Sequence, residues 1–410
     1  MKTITVTLRL SVALCFLAGS STVFSQDPDF SQFFNNPIHL NPAFAGAYGL
    51  PGNIPESPRL GFSQRTQWPS LSGKFVTNSV SYDQYFPSIS GGLALKLMDD
   101  DAGNGTLGTR SASIAYSYRN RLNRKWHFNL ALEAGYFEKS LDWNKLSFRD
   151  MIDPSQGFVY ATQDIYRGGL VRGADFRAGL LLHNNRLVFG LVGSHLNEPN
   201  ESVAGGTSNS PIPIKLTGHV GGTLHFKDKT HVKSSLFPQL MVHQQGDLTQ
   251  VVVGSNFNIE PVGLTQNMNS RVILSVGGWY RGVPRSSYRD AFLIYLGMET
   301  LAFRAGYSYD LTVSQLTPAS GGAHEVNFTL FLPNLSFKSQ LRKKYFCPSC
   351  DWTLLNTDDW MSPIRLNGAG GDRLRFWQGR RIIKGKQATY KNKSNNETGG
   401  KRLFRKRKSN

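Results

Sequence analysis

The chain has 410 residues, with 46 Lys or Arg against 28 Asp or Glu and a formal net charge of +18. Hydrophobic residues make up 40%, aromatic residues 12%, and glycine occupies 41 positions. Behind residue 25 no window approaches the roughly 20 consecutive apolar residues of a membrane-spanning helix, and no long stretch repeats every 3.6 residues, so a helical membrane protein is excluded and β structure is favoured.

Residues 1–25 read as a secretory signal peptide. Lys2 and Arg9 precede an apolar run from Leu10 to Ala18, and Val23 and Ser25 stand at the −3 and −1 positions of a cleavage site. The mature chain is expected to start at Gln26. Cys15 follows Leu14 rather than a small residue, which argues against a lipid anchor and places this cysteine in the part removed.

Residues 26–57 form an irregular segment that opens QDPDFSQFFNNPIHLNPAFAG. Pro28, Pro37 and Pro42 fix φ and remove backbone donors, so this stretch can be neither a regular strand nor one continuous helix. It carries Phe30, Phe33, Phe34 and Phe44, enough apolar surface to plug or lid a barrel lumen or to dock on a partner.

Residues 58–337 alternate apolar and polar positions. Ala112, Ile114, Tyr116 and Tyr118 face Ser113, Ala115, Ser117 and Arg119; Leu301, Phe303, Ala305, Tyr307 and Tyr309 oppose Ala302, Arg304, Gly306 and Ser308. Many runs reach the length of a tilted membrane strand and end in aromatic residues, as at Tyr136/Phe137 and Trp279/Tyr280. A soluble sandwich also alternates, but its strands are usually shorter. Fourteen strands are predicted, beginning near Arg59, Gly73, Gly91, Thr109, Lys125, Arg172, Arg186, Lys215, His231, Leu248, Arg271, Arg289, Leu301 and Ala323. The predicted fold is an all-β, antiparallel up-and-down β-barrel in the outer membrane, with the inward face dominated by Gly, Ser, Ala and Asn. An even count puts both barrel ends on one side, expected to be periplasmic together with both chain termini, and the odd connections, many of them long, outside. Gln244 to Asp247 and Glu260 to Ser270 depart from that length rule.

Among the loops, Trp143 to Gln163 carries Trp143, Phe148, Met151, Ile152, Phe158 and Tyr160, too apolar for an idle surface loop and suited to folding over the mouth or touching a secreted substrate. The DDDAGNGTLG stretch from Asp99 lacks the spacing and terminal Glu of a calcium loop and reads as a hairpin turn. Residues 338–410 hold 19 Lys or Arg against 5 Asp or Glu, a net +14 of the chain's +18, in a polar tail. Behind a secretory leader this tail would be periplasmic and meet no nucleic acid; anionic lipid, lipopolysaccharide or an acidic protein are its possible targets, beside simple solvation. Cys347 and Cys350 form CPSC without a second pair or a nearby His at ligand spacing, which fits a structural disulfide or idle thiols better than zinc or redox chemistry. No catalytic, cofactor-binding or metal-binding constellation emerges, and an enzyme is not expected.

DPDFSQFFNNPIHLNPAFAG, RTQWPSLSGKFVTNSVSYDQYF from Arg65, SLDWNKLSFRDMIDPSQGFVYATQ from Ser140, HLNEPNES from His195, GYSYDLTVSQL from Gly306 and GGAHEVNF from Gly321 together resemble the PorP/SprF family of type IX secretion outer-membrane proteins. The resemblance spans about Asp27 to Cys350. It implies a non-enzymatic barrel that helps deliver or retain a secreted client, such as a gliding adhesin, and that contacts periplasmic machine components or a peptidoglycan anchor. The longer stretch at Pro261 to Ser270 and the tail after Cys350 depart from the family pattern. Partner-contacting residues are expected at Asp27, Pro28, Phe30, Ser31, Gln32, Phe33, Asn41, Pro42 and Phe44 and at Trp143, Phe148, Met151, Phe158 and Tyr160. The competing reading is a passive or substrate-specific porin.

Overall fold

The computed structural model describes residues 27–47, 58–123, 126–153, 155–163, 169–184, 186–203, 209–226, 232–261, 272–283, 289–300, 302–313 and 321–332. The leader, the tail from 338 with Cys347 and Cys350, and residues 262–270 lie outside them.

A short helix α1 (Pro37–Leu40) and a single 3-10 turn at Pro42–Phe44 precede the strands. The strands are β1 (Arg59–Gln67), β2 (Phe75–Phe86), β3 (Gly91–Ala102), β4 (Leu107–Arg121), β5 (His127–Leu141), β6 (Ile152–Asp153), β7 (Gly157–Phe158), β8 (Leu170–His183), β9 (Leu187–Ser194), β10 (Lys215–Gly222), β11 (Leu224–His225), β12 (Val232–Gln245), β13 (Leu248–Pro261), β14 (Val272–Gly282), β15 (Arg289–Thr300), β16 (Phe303–Thr312) and β17 (Ala323–Phe331). Strands β6 and β7 make a separate hairpin; the others form one fifteen-stranded antiparallel sheet. Because β10 and β11 both lie on β12, they act as one interrupted strand, and the wall has fourteen. It is closed: β1 pairs with β17 from Arg59↔Phe331 to Gln67↔Ala323, and β10 pairs with β12. Closure leaves the wall no unpaired edge, a condition for crossing hydrocarbon. Each predicted strand start falls within two residues of an observed one.

The two faces separate by chemistry. Along β4 the exposed residues include Ile114, Tyr116 and Tyr118, while Ser113, Ala115, Ser117 and Arg119 are buried. Outward positions elsewhere carry Leu132 at 71% exposure, Leu191 at 61% and Leu216 at 59%. An apolar belt of this kind running round a protein is far larger than a water-facing surface carries, so its solvent is lipid.

The inward face differs from the expectation of small and neutral residues. Arg59, Arg65, Lys215, Glu133, Glu299, Arg304, Asp310 and Glu325 are all buried on it. They tolerate this because they pair with one another and with the segment preceding β1.

The barrel has unlike ends. Tight links at 87–90, 184–186 and 301–302 lie at the end where Arg59 meets Phe331. The long connections 142–169 and 195–214 lie at the end where Gln67 meets Ala323. The first and last strand ends thus share one side. Residue 27 does not join them there: Asp27 contacts His195 and Lys215, at the loop end. Asp27 thus lies at the end of the barrel opposite the one that the first and last strands share, and the segment between Asp27 and β1 crosses the bore.

Candidate functional site

Residues 27–47 touch opposite walls of a closed barrel and so lie inside it. Their path descends from the loop end to the turn end. At the top, Asp27 and Asp29 meet a basic patch. Asp27 Oδ2 lies 2.7 Å from His195 Nε2, His195 Nδ1 lies 3.0 Å from Asp175, and Lys215 Nζ donates to Asp29 at 2.7 Å. His243 stands 3.3 Å from the other Asp29 oxygen. Burial disfavours the charged imidazole of His195, but the bonds to Asp175 and Asp27 outweigh it and raise its pKa to about 9. Burial also pushes Asp27 upward, yet its bond to His195 and the charge of Lys215 hold it well below the usual carboxylate range. The clasp is thus an ion pair at neutral pH.

One turn further on, Ser31 and Gln32 bind the β16–β17–β1 wall. The Ser31 N–H donates to Glu325 at 2.6 Å and its hydroxyl donates to Asp310 at 2.6 Å, while the Gln32 N–H donates to the other Glu325 oxygen at 3.1 Å. Arg65 and Arg281 each reach Asp310 Oδ2 at 3.2 Å. Glu325 therefore accepts from two backbone N–H groups that no helix or sheet satisfies. Below them Asn36 bonds Ser63 and Asn327, and the His39 carbonyl accepts from Arg177 at 2.8 Å.

The middle of the segment supplies the apolar packing. Phe34 stacks on Trp279 with centroids 4.5 Å apart and meets Tyr295 edge-on at 4.9 Å; Phe44 stacks on His219 at 5.7 Å. Phe34 and Phe44 are fully enclosed. Asn41 caps the following turn, its Oδ1 accepting from Ala43 N–H at 2.9 Å while its amide donates to the Leu180 carbonyl at 3.1 Å. At the lower end Ser117 and Asn129 both donate to the Ala43 carbonyl, Arg119 donates to the Gly46 carbonyl at 2.6 Å, and the Gly46 N–H donates to Asp83, itself gripped by Arg59 through two 2.8 Å bonds.

Two wall glycines make this fit possible. A Cβ at Gly92 would sit 2.0 Å from the Ala45 carbonyl oxygen, and one at Gly179 would sit 2.3 Å from Asn41 Oδ1. The backbone of the segment approaches the wall where no side chain stands.

The sequence-predicted residues thus divide. Asp27, Ser31, Gln32, Phe33, Asn41, Pro42 and Phe44 are assembled in the bore; Phe30 packs edge-on against His39 at 5.1 Å, and Pro28 borders a cavity of about 690 Å³ at the loop end, lined also by Arg65, Lys96 and Asp175. The second group lies apart, in the connection between β5 and β8. Trp143 and Phe148 rings pack 4.8 Å apart, and the β6–β7 hairpin exposes Ile152, Phe158 and Tyr160, at 46%, 63% and 56%. Met151 closes that hairpin by accepting from Val159 N–H. Asp153 ties its turn, and bonds from Ser155, Tyr160 and Gln156 bring its pKa down to about 2. In the Asp99 stretch, Asp99 pairs with Arg110 and Asp100 bonds Thr77, and among the described residues no group of three or more His, Cys, Asp or Glu is arranged to hold a metal. Sequence reading missed the wall partners His195, Lys215, Arg281, Asp310 and Glu325. The available signal was ionisable residues at lumen-facing positions of otherwise greasy strands.

A family model described as type IX secretion system membrane protein PorP/SprF matches residues 22–330. No curated protein matches the chain in sequence. Similar solved structures include the outer membrane protein Omp33 of Acinetobacter baumannii, at 9% identity and TM-score 0.35, covering 67% of this chain and 99% of that one. A deletion mutant of the TodX monoaromatic hydrocarbon channel follows at 12% identity and TM-score 0.39, covering 72% and 92%. The CymD monoaromatic hydrocarbon channel stands at 12% and 0.37, covering 77% and 96%.

Proposed function

The chain belongs to the PorP/SprF family of type IX secretion system membrane proteins, and from that premise we propose that this outer-membrane barrel is a non-enzymatic, non-conducting partner of the secretion machine. Its role is to assist export or surface retention of a client protein of the adhesin type, as in gliding motility. The client meets the loop end, where the exposed Ile152, Phe158 and Tyr160 offer an apolar contact. Periplasmic machine components or a peptidoglycan-binding protein meet the opposite end, and lipid surrounds the wall. No nucleic acid enters this scheme.

The observation that carries the reading is the burial of Phe34 and Phe44 against the inner wall of the barrel. A porin needs a continuous polar path, whereas Phe34, Phe44, Trp279 and Tyr295 are each at most 1% exposed. Residues 27–47 act as a plug, with the charged wall serving to hold it.

Two measurements test this together. The purified barrel in a planar bilayer is expected to carry no steady current, and affinity purification from native membranes is expected to recover a secreted client or a periplasmic component. A steady open-channel current without such recovery would favour the porin.

A further inference from the structure

We infer that the chain is threaded through its own barrel, so that its leader-proximal end opens in the loop-lined vestibule at the cell surface, opposite the side where the last strand ends. The contacts of the segment follow one another in order down the bore. Asp27 binds His195, just beyond the loop end of β9; Ser31 binds Asp310, which pairs with the first residue of β17; Asn36 binds Asn327, in mid-strand. Further along, Asn41 binds the Leu180 carbonyl, and Gly46 binds Asp83, the residue paired with Arg59 at the first position of β1. Depth in the barrel increases steadily with residue number, from the long connections to the tight turns.

The assignment of sides follows from a general property of bacterial barrels, which keep short turns in the periplasm and longer loops outside. Here connections 142–169 and 195–214 mark the outside, and Phe331, paired with Arg59, ends inside. For the chain ahead of Asp27 to reach the periplasm it would have to run back down the bore. That route is taken: Phe34 and Phe44 are enclosed on all sides, and Gly92 and Gly179 bring the segment's backbone against the wall. The chemistry of the anchors also has a direction. Carboxylates of the segment meet cations at the top, whereas carbonyls of Ala43 and Gly46 meet donors at the bottom. Reversing the segment would take Asp27 and Asp29 away from His195, Lys215 and His243.

This goes beyond the secretion role and would stand if that role were wrong. It sets a surface vestibule bordered by Asp27 and Pro28 on the face opposite the end of the last strand.

The test uses single cysteines in the full chain with Cys347→Ser and Cys350→Ser, probed on intact cells with a polyethylene-glycol maleimide too large to cross the outer membrane. Pro28→Cys is the query, Ser155→Cys in the exposed hairpin marks the loop end, and Ser88→Cys in a tight turn marks the other. The expected result is labelling of the first two without permeabilisation and of Ser88→Cys only after it. A second arm inserts an epitope between Ser25 and Gln26, which an antibody should reach on intact cells. If Pro28→Cys and the epitope respond only after permeabilisation while Ser155→Cys responds before it, the threading is wrong. If Ser155→Cys itself needs permeabilisation, the assignment of the loop end to the surface is wrong.

Discussion

Replacing Phe34 by alanine isolates what holds the bore shut. The ring is 1% exposed, stacked on Trp279 at 4.5 Å and edge-on to Tyr295 at 4.9 Å, with none of its atoms in the wall's hydrogen-bond ladders. Truncating an enclosed aromatic typically costs about 3–5 kcal/mol, part of it the cavity left behind. Fourteen paired strands remain closed without it, so the cost falls on docking of residues 27–47 rather than on the barrel. At about 1.4 kcal/mol per tenfold, the undocked fraction should rise by roughly a hundredfold to a few thousandfold. In a planar bilayer that appears as brief openings absent from the parent protein, with heat-modifiable migration on gels showing the barrel still closed. Phe34→Leu, which refills much of the volume, should restore most of the silence. A silent Phe34→Ala barrel of unchanged thermal stability would show that aromatic packing does not keep the segment in place.

The clasp gives a pH dependence with a definite sign. Since the folded pKa of His195 is raised to about 9, its contribution is complete below the ordinary histidine value of about 6.5, declines as pH rises, and is lost above about 9. The melting temperature should therefore fall across that window, and His195→Gln should flatten the fall; parallel curves would refute the assignment. Asp27, held low, should retain its contribution until pH drops below the ordinary carboxylate range. Gly179→Ala places a Cβ against Asn41 and Pro42 and should lower stability by about 1–3 kcal/mol, measured by urea unfolding in detergent, whereas the same change at Gly157, where a Cβ meets nothing within 4 Å, carries only the strain of its φ of +79°. Arg65→Ala leaves Asp310 and Glu325 short of a cation in a buried cluster and should cost about 3–5 kcal/mol, read by loss of the heat-modifiable form. Phe158→Ser with Tyr160→Ser, on an exposed hairpin, should move stability by no more than about 0.5 kcal/mol while reducing recovery of the client from native membranes.

The sequence by itself determined the wall. Side-chain alternation has a period of two in any strand, so Ala112 to Tyr118 or Phe303 to Tyr309 declare their two faces without reference to the rest of the chain, and glycine and polar punctuation marks their ends. The prolines likewise excluded Asp27 to Gly46 from the sheet, because their effect on φ and on backbone donors is local. What only the tertiary structure decided is what each face meets. Glu325, Asp310 and Arg65 look like solvated strand residues until closure brings β17, β16 and β1 round one bore with Ser31 and Gln32 between them. The partners of Asp27 are His195 and Lys215, separations over which no periodicity operates. Nor could a strand count place Asp27 at the loop end, because parity orders the strands alone and is silent about a segment that crosses the space they enclose.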